Sequence, residues 1–204
     1  MQRSTLVTAL AIATPTIFLL SACGDQSSPT ETARVGTPTV ALSQEDKHAG
    51  AFVAHDSCEP TSFNAVIGAG TCVKNFRTTF PEFIAQLQAS GVARDWRFTP
   101  EELTAQLGVN LLGNNVGGEE HTFTPVKQFG GGVVPVLNQL SGNPVAAPEC
   151  LSLEDDDFVE AGGKYIIESE ELADAVDDSG IARVQCCIHP WMRSEVRLKT
   201  NGKG

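Results

Sequence analysis

Positive charge is scarce in this sequence. Its 204 residues carry 14 lysine and arginine side chains against 25 aspartate and glutamate side chains, a formal net charge of -11 at pH 7. Because nucleic-acid binding depends on basic side chains that neutralise phosphates, so acidic a chain is not expected to bind nucleic acid. The acidic surface favours solubility and suits a basic partner without identifying one. The sequence also contains no internal repeat, no P-loop and no dinucleotide-binding fingerprint.

The sequence also lacks an apolar run that would span a membrane comfortably. Its first apolar stretch, residues 6–20, is short and is broken by Pro15, whereas a spanning helix needs about 20 apolar residues. The stretch follows Arg3 and ends in Leu-Ser-Ala before Cys23, a pattern typical of a lipoprotein signal. We therefore expect residues 1–22 to be cleaved and lipid to be attached to the Cys23 thiol. The alternative is a plain secretion signal followed by a chance cysteine.

This leader predicts an exported protein, anchored to a membrane through Cys23 and facing the periplasm or the cell exterior. Residues 23–50 are rich in Ser, Thr, Pro and Gln and are expected to form a flexible tether. Residues 51–204 are then one domain, expected to be a monomer. His48 and His55 lie in or near the tether, outside any ligand cluster, and are predicted to be solvated.

The domain is predicted to be all-β. Residues 80–91 are an exception, because Phe83, Ile84 and Leu87 have helical spacing and Gly91 provides a stop. Short strands are expected in the segments HTFTPV, KYIIES, ARVQCCI and EVRLKT. Short strands with Gly, Asn and Pro turns favour a β-sandwich with a short helix and, over residues 129–159, a long loop insertion. The acidic run 154–157 is interpreted as a solvated turn, with a calcium site as the alternative.

The cysteines suit an oxidising compartment. With Cys23 lipidated, an odd number remains, so at least one thiol lacks a disulfide partner within the chain. Cys58 and Cys72 can form one disulfide. Cys187 can pair with Cys150 or remain a small buried apolar side chain, because sequence alone does not fix connectivity. A metal ion is a suitable partner for the remaining thiolate.

The segment 184–198 concentrates metal-binding side chains between two predicted strands. Cys186, His189 and Met192 are soft to borderline ligands, a set that suits copper in both oxidation states. A blue-copper site needs a second histidine, and His121, at the start of a predicted neighbouring strand, is the natural donor. Neighbouring strand residues face opposite ways, so Cys186 rather than Cys187 is expected to face the ion. Zinc is the rival metal, but methionine is a poor zinc ligand.

At these residues the chain resembles the cupredoxin family. The segment CCIHPWMRSEV is similar to the cupredoxin ligand loop, most closely to that of amicyanin, and the segment from Trp96 to Thr124 also resembles cupredoxins. The resemblance implies a Greek-key β-sandwich holding one copper ion. By that resemblance His121 and His189 are the equatorial imidazoles, Cys186 is the thiolate and Met192 is the axial thioether. The exposed edge of His189, beside Pro190 and Trp191, would be where electrons pass.

The resemblance implies an electron carrier and not an enzyme, one that exchanges single electrons with redox protein partners. The alternative function is copper delivery or sequestration, and a metal-free adhesion or scaffold lipoprotein is a third class. The chain departs from the family pattern in three respects. The stretch between His121 and Cys186 is longer than in small cupredoxins, Thr122 stands where many relatives have Asn, and Cys186 is followed by a second cysteine. Residues 52–95 lack a clear counterpart and are expected to decorate the domain.

Overall fold

The computed structural model describes residues 50–200. The predicted signal peptide, the lipidated Cys23, His48 and nearly all of the tether therefore lie outside the described residues. Within residues 50–200, two four-stranded sheets carry most of the regular structure, which confirms the predicted all-β sandwich. None of the helices in this part of the chain combines the length and the apolar character that a membrane span requires.

The first sheet has the strand order β2-β1-β4-β6. Its strands are β1 (Ala51–His55), β2 (Arg97–Thr99), β4 (Leu111–Asn115) and β6 (Lys164–Ile167). Strand β1 pairs in parallel with β4 and antiparallel with β2, and β4 pairs antiparallel with β6. The two central strands of this sheet, β1 and β4, run towards the loops in which the candidate site lies.

The second sheet has the strand order β3-β8-β7-β5. Its strands are β3 (Glu102–Gln106), β5 (Thr124–Val126), β7 (Ile181–Gln185) and β8 (Arg193–Lys199). Strand β7 lies between β8 and β5, antiparallel to both, with Thr124 opposite Gln185. The chain passes back and forth between the two sheets, as the crossed connections of a Greek-key sandwich require.

Aromatic and aliphatic side chains fill the space between the sheets. The Phe98 and Phe123 rings stack with their centroids 5.1 Å apart, and Phe52 lies beside Phe98. Gly113 in β4 faces this stack, and a Cβ there would lie 2.5 Å from the Phe123 ring. The glycine therefore lets the aromatic ring pack directly on the β4 backbone.

Residues 52–95 are more than a decoration, which corrects one expectation. Strand β1 lies between β2 and β4 in the first sheet. Its alternating pattern buries Phe52 and Ala54. The rest of the segment holds α1 (Pro60–Val66) and the predicted helix, now α2 (Phe80–Ser90), closed by Gly91 at φ 73°. Phe63 and Phe83 turn inward from these helices and pack on Trp96. The two helices thus form a lid over one end of the sandwich.

The long segment 129–159 is less irregular than its sequence indicates. It contains α3 (Pro135–Leu140) and two 3-10 helices, Pro148–Leu151 and Asp155–Asp157. The disulfide from Cys150 to Cys187 fastens the segment to the ligand loop. In the acidic run, Asp157 accepts a hydrogen bond from the Tyr165 hydroxyl, in agreement with a turn. A last helix, α4 (Ser169–Asp174), follows β6.

Candidate metal centre

Three of the predicted ligands meet at one buried point. Cys186 directly follows β7, His189 lies three residues later, and His121 lies on the segment that leads into β5. The Cys186 Sγ atom is 3.7 Å from His121 Nδ1 and 3.8 Å from His189 Nδ1. All three donor atoms lie within 4.8 Å of one another. The pairing of β5 with β7 brings these distant residues together, as the sequence predicts.

The spacing of these atoms fits a metal ion. With metal–nitrogen bonds of about 2.0 Å and metal–sulfur bonds of about 2.3 Å at 120°, sulfur and nitrogen are separated by about 3.7 Å. The observed separations of 3.7 and 3.8 Å therefore match a trigonal arrangement of two imidazoles and one thiolate. This donor set, in a site sealed from water, fits copper better than hard cations such as magnesium or calcium.

The ligand loop is closed by its own backbone. The Met192 N–H donates to the His189 carbonyl at 2.9 Å, and the Cys186 N–H donates to the Met192 carbonyl at 3.0 Å. Met192 is fully buried and belongs to the core that contains Cys186. These two bonds fix the positions of Cys186, His189 and Met192 relative to one another without a metal ion.

Thr122 holds the ligand loop through two hydrogen bonds. Its hydroxyl accepts a 2.8 Å hydrogen bond from the Cys187 N–H, and its own N–H points at the Cys186 sulfur at 3.5 Å. Amide donors stabilise a thiolate and reduce its tendency to take up a proton. The threonine therefore links the segment that contains His121 to the ligand loop through one contact with each of the two cysteines.

The two adjacent cysteines point in opposite directions, as predicted. Cys187 forms a disulfide with Cys150, and Cys58 forms one with Cys72, so one of the pairings left open by the sequence is resolved. Cys186 is the free cysteine among residues 50–200, and it is buried. Because the other described thiols are oxidised, Cys186 is the one available as a thiolate ligand.

Electrostatics favour an ionised cysteine in this site. Burial disfavours the thiolate of Cys186, but contacts with both histidines outweigh burial and hold its pKa well below the ordinary value of 9.0. Burial also disfavours a charged His121 ring, yet the contacts with Asp56 and Cys186 raise its pKa to about 9. In the metal-free protein a proton on His121 therefore takes the place that a metal cation would occupy.

Two acidic residues near the site were missed in the sequence. Asp56, at the end of β1, lies 3.1 Å from His121 Nε2, and Glu119 has a carboxylate oxygen 3.8 Å from His189 Nε2. Contacts with His121 overcome the effect of burial and lower the pKa of Asp56 to about 2, whereas burial raises the pKa of Glu119. The doubled glutamate at 119 and 120 was visible in the sequence, but nothing local distinguishes Asp56 from a surface aspartate.

The predicted exposed edge of His189 is not found. The residue is 2% exposed and Pro190 is buried. Trp191 and Phe83 pack around the ring, with centroids 5.5 and 6.4 Å away. Helix α2 explains the difference, because its Phe83 side chain packs on the His189 ring and no local pattern predicts this contact.

A surface cleft of about 590 Å³ borders the buried His189. Its walls combine apolar and acidic side chains, including Ile67, Val73, Glu120 and Glu160.

His55, predicted to be solvated, instead lies at the end of β1 and contacts the Thr99 hydroxyl at 2.9 Å. It is no part of the His121, Cys186 and His189 cluster.

No protein-family model and no curated protein matches the chain. Among solved structures, it is similar to a purple cupredoxin from Nitrosopumilus maritimus, with 14% identity, 53% of this chain and 87% of that chain covered, and a TM-score of 0.33. It is also similar to a plastocyanin from Dryopteris crassirhizoma, with 16% identity, 51% of this chain and 89% of that chain covered, and a TM-score of 0.32. A mutant amicyanin with Cu(I) is similar with 16% identity, 50% of this chain and 73% of that chain covered, and a TM-score of 0.29. All three are cupredoxins, and the metal site is assigned from the donor atoms of the present chain.

Proposed function

We propose that this protein is a type 1 copper protein of the cupredoxin kind that carries single electrons between redox partners and transforms no substrate. The observation that carries the proposal is the buried triangle of Cys186 Sγ, His121 Nδ1 and His189 Nδ1, with sides that fit a trigonal metal site. Met192, whose backbone is hydrogen-bonded to Cys186 and His189, would be the fourth residue to hold the ion, through its thioether sulfur. Bound copper would supply a reversible Cu(II)/Cu(I) couple.

The protein's contribution is to hold the ligands in place during electron transfer. Hydrogen bonds within the ligand loop and from Thr122 fix the donor atoms before any metal binds. A cage that does not rearrange accommodates both oxidation states with little reorganisation. Burial of His121, Cys186 and His189 keeps water from adding further ligands. The residues therefore favour outer-sphere electron transfer over chemistry on a bound substrate.

We further propose the setting in which the domain works. Cleavage after residue 22 and lipid on Cys23 would tie the domain, through the tether of residues 23–50, to a membrane that faces the periplasm or the cell exterior. The two disulfides of the domain support an oxidising compartment. A lipid anchor keeps the carrier close to membrane-bound redox proteins while the tether lets it reach them.

Copper retention during redox cycling tests this function against copper delivery. The chain is produced with Cys23→Ser and loaded with one Cu(II). It is then reduced with ascorbate and reoxidised with ferricyanide in repeated cycles, in the presence of a chelator that captures released Cu(I). We expect copper to stay in the protein over repeated cycles. Transfer of copper from the reduced protein to the chelator would support copper delivery instead. Failure to bind copper at all would contradict both electron transfer and copper delivery.

A further inference from the structure

We propose that Asp56 is a positioning residue of the metal centre, which holds the His121 ring so that its Nδ1 atom faces Cys186. The inference builds on the proposed copper site, although its structural part applies to the metal-free protein as well. Both side chains of the Asp56–His121 pair are completely buried, and Asp56 Oδ2 lies 3.1 Å from His121 Nε2. The two residues are 65 positions apart in the sequence, so the contact depends on the fold.

The hydrogen bonds around Asp56 determine which atom carries the proton. Asp56 Oδ2 accepts from the N–H groups of Gly118 at 2.7 Å and Glu119 at 2.9 Å, and Oδ1 accepts from the Cys58 N–H at 3.2 Å. Surrounded by donors, the carboxylate is an acceptor, and an ionised carboxylate has no proton to give. His121 must therefore donate through Nε2–H, and Nδ1, which faces Cys186, is the nitrogen at which a metal ion can displace a proton and bind.

The glycine pair before the acidic residues makes this contact possible. A Cβ on Gly117 would lie 1.9 Å from Asp56 Oδ2, and one on Gly118 would lie 2.8 Å from the Cys58 sulfur. Neither position tolerates a side chain without moving the carboxylate or the disulfide. The Gly117–Gly118 pair thus serves the approach of β1 to the histidine segment, and a methyl group at residue 117 is a second way to disturb the same contact.

Within residues 50–200, no carboxylate forms an equivalent hydrogen bond with His189. Glu119 Oε2 is 3.8 Å from His189 Nε2, beyond hydrogen-bond range, and accepts instead from the Trp96 indole N–H at 2.5 Å. Asp56, in contrast, contacts His121 through a direct hydrogen bond. A carboxylate hydrogen-bonded to a ligand imidazole raises its basicity, and a buried negative charge favours Cu(II) over Cu(I). Asp56 is expected to strengthen copper binding and to lower the reduction potential.

Three variants test the proposal. Asp56→Ala removes the contact, Asp56→Asn keeps the shape and removes the charge, and Gly117→Ala displaces the carboxylate by sterics. Glu120→Gln is the control, because Glu120 is adjacent to His121 in the sequence, carries a carboxyl group and makes no hydrogen bond to the ring among the described residues. Each protein is measured metal-free by NMR for an exchange-protected His121 Nε2–H signal, and then for Cu(I) affinity and reduction potential.

We expect the protected signal in the wild type and in Glu120→Gln, and its loss in Asp56→Ala and Gly117→Ala. Those two variants should bind copper about ten- to a hundred-fold more weakly. Asp56→Asn should fold like the wild type and show a higher potential. Unchanged affinity, potential and NMR signal in Asp56→Ala and Asp56→Asn would overturn the proposal. A wild type that binds no copper would instead overturn the proposed function, while the metal-free NMR signal would still decide the role of Asp56.

Discussion

Trp96 donates its indole N–H to Glu119 Oε2 at 2.5 Å, and both residues are buried beside His189. Trp96 follows the lid helices, whereas Glu119 precedes the first ligand by two residues. The bond therefore connects the lid to the metal centre. The imidazole edge expected at the surface is covered by Phe83 and Trp191, and the acidic cleft beside Ile67 and Val73 is a route of approach to His189.

Removing the phenyl ring of Phe83 should destabilise the lid. Phe83 is buried and contacts Phe63, Trp96, His189 and Trp191. Phe83→Ala is expected to lower the free energy of unfolding by about 3–5 kcal/mol, because it removes a large apolar side chain and leaves a cavity. Val66→Ala on α1 is the control: Val66 is 62% exposed, and a change within about 0.5 kcal/mol is expected. Equal effects in urea unfolding would contradict the packing described for the lid.

The disulfide next to the ligand loop should contribute strongly to stability. Cys150 and Cys187 are 37 residues apart, so loop-closure entropy predicts a loss of about 4 kcal/mol in the double variant Cys150→Ser with Cys187→Ser. The pair Cys58 and Cys72, only 14 residues apart, should cost about 3 kcal/mol when replaced in the same way. Urea titrations of the two double variants provide the comparison. No loss of stability in either variant would contradict the assigned pairings.

Acid should weaken the metal-free protein through Asp56. Its pKa is lowered from 3.8 to about 2, so the native state holds the ionised form more favourably than the unfolded chain does. This contribution is fully present above pH 3.8 and is lost as the pH falls through 2; it amounts to about 2 kcal/mol. The stability difference between wild type and Asp56→Asn should therefore shrink between pH 4 and pH 2. A constant difference over that interval would contradict the assignment.

Metal binding should compete with protons at His121. Because the pKa of His121 is raised to about 9 in the metal-free protein, a metal ion must displace a proton at every pH below that value. The apparent Cu(I) association constant should therefore rise with pH and level off above about pH 9. Competition with a chelator of known proton affinity measures this profile. An affinity independent of pH between 6 and 9 would show that His121 is not a ligand.

Local spacing made the ligand loop predictable. Cys186, His189 and Met192 lie within one turn between two strands, and the softness of their donor atoms already points to copper. His121 could be found because it begins the strand segment that pairs with β7. Helix α2 was predictable because its apolar spacing and its glycine stop are local features.

The surroundings of the site could not be predicted in this way. Asp56 reaches His121 only because β1 pairs in parallel with β4, a contact between distant segments. The burial of His189 likewise depends on the packing of Phe83, a distant residue, and of Trp191 on its ring, which no local pattern specifies. The sequence therefore predicts the donor atoms but not the carboxylates and aromatic rings that hold and cover them.

A visible absorption spectrum reports on the bond between the Cys186 thiolate and bound copper. The Cys23→Ser chain is loaded with Cu(II), and Cys186→Ser is examined in parallel as the variant that lacks the thiolate. We expect an intense blue thiolate-to-copper band that disappears with ascorbate, returns on reoxidation and is absent from the serine variant. A colourless protein with one copper ion bound, or the same band in Cys186→Ser, would contradict the His121, Cys186 and His189 site.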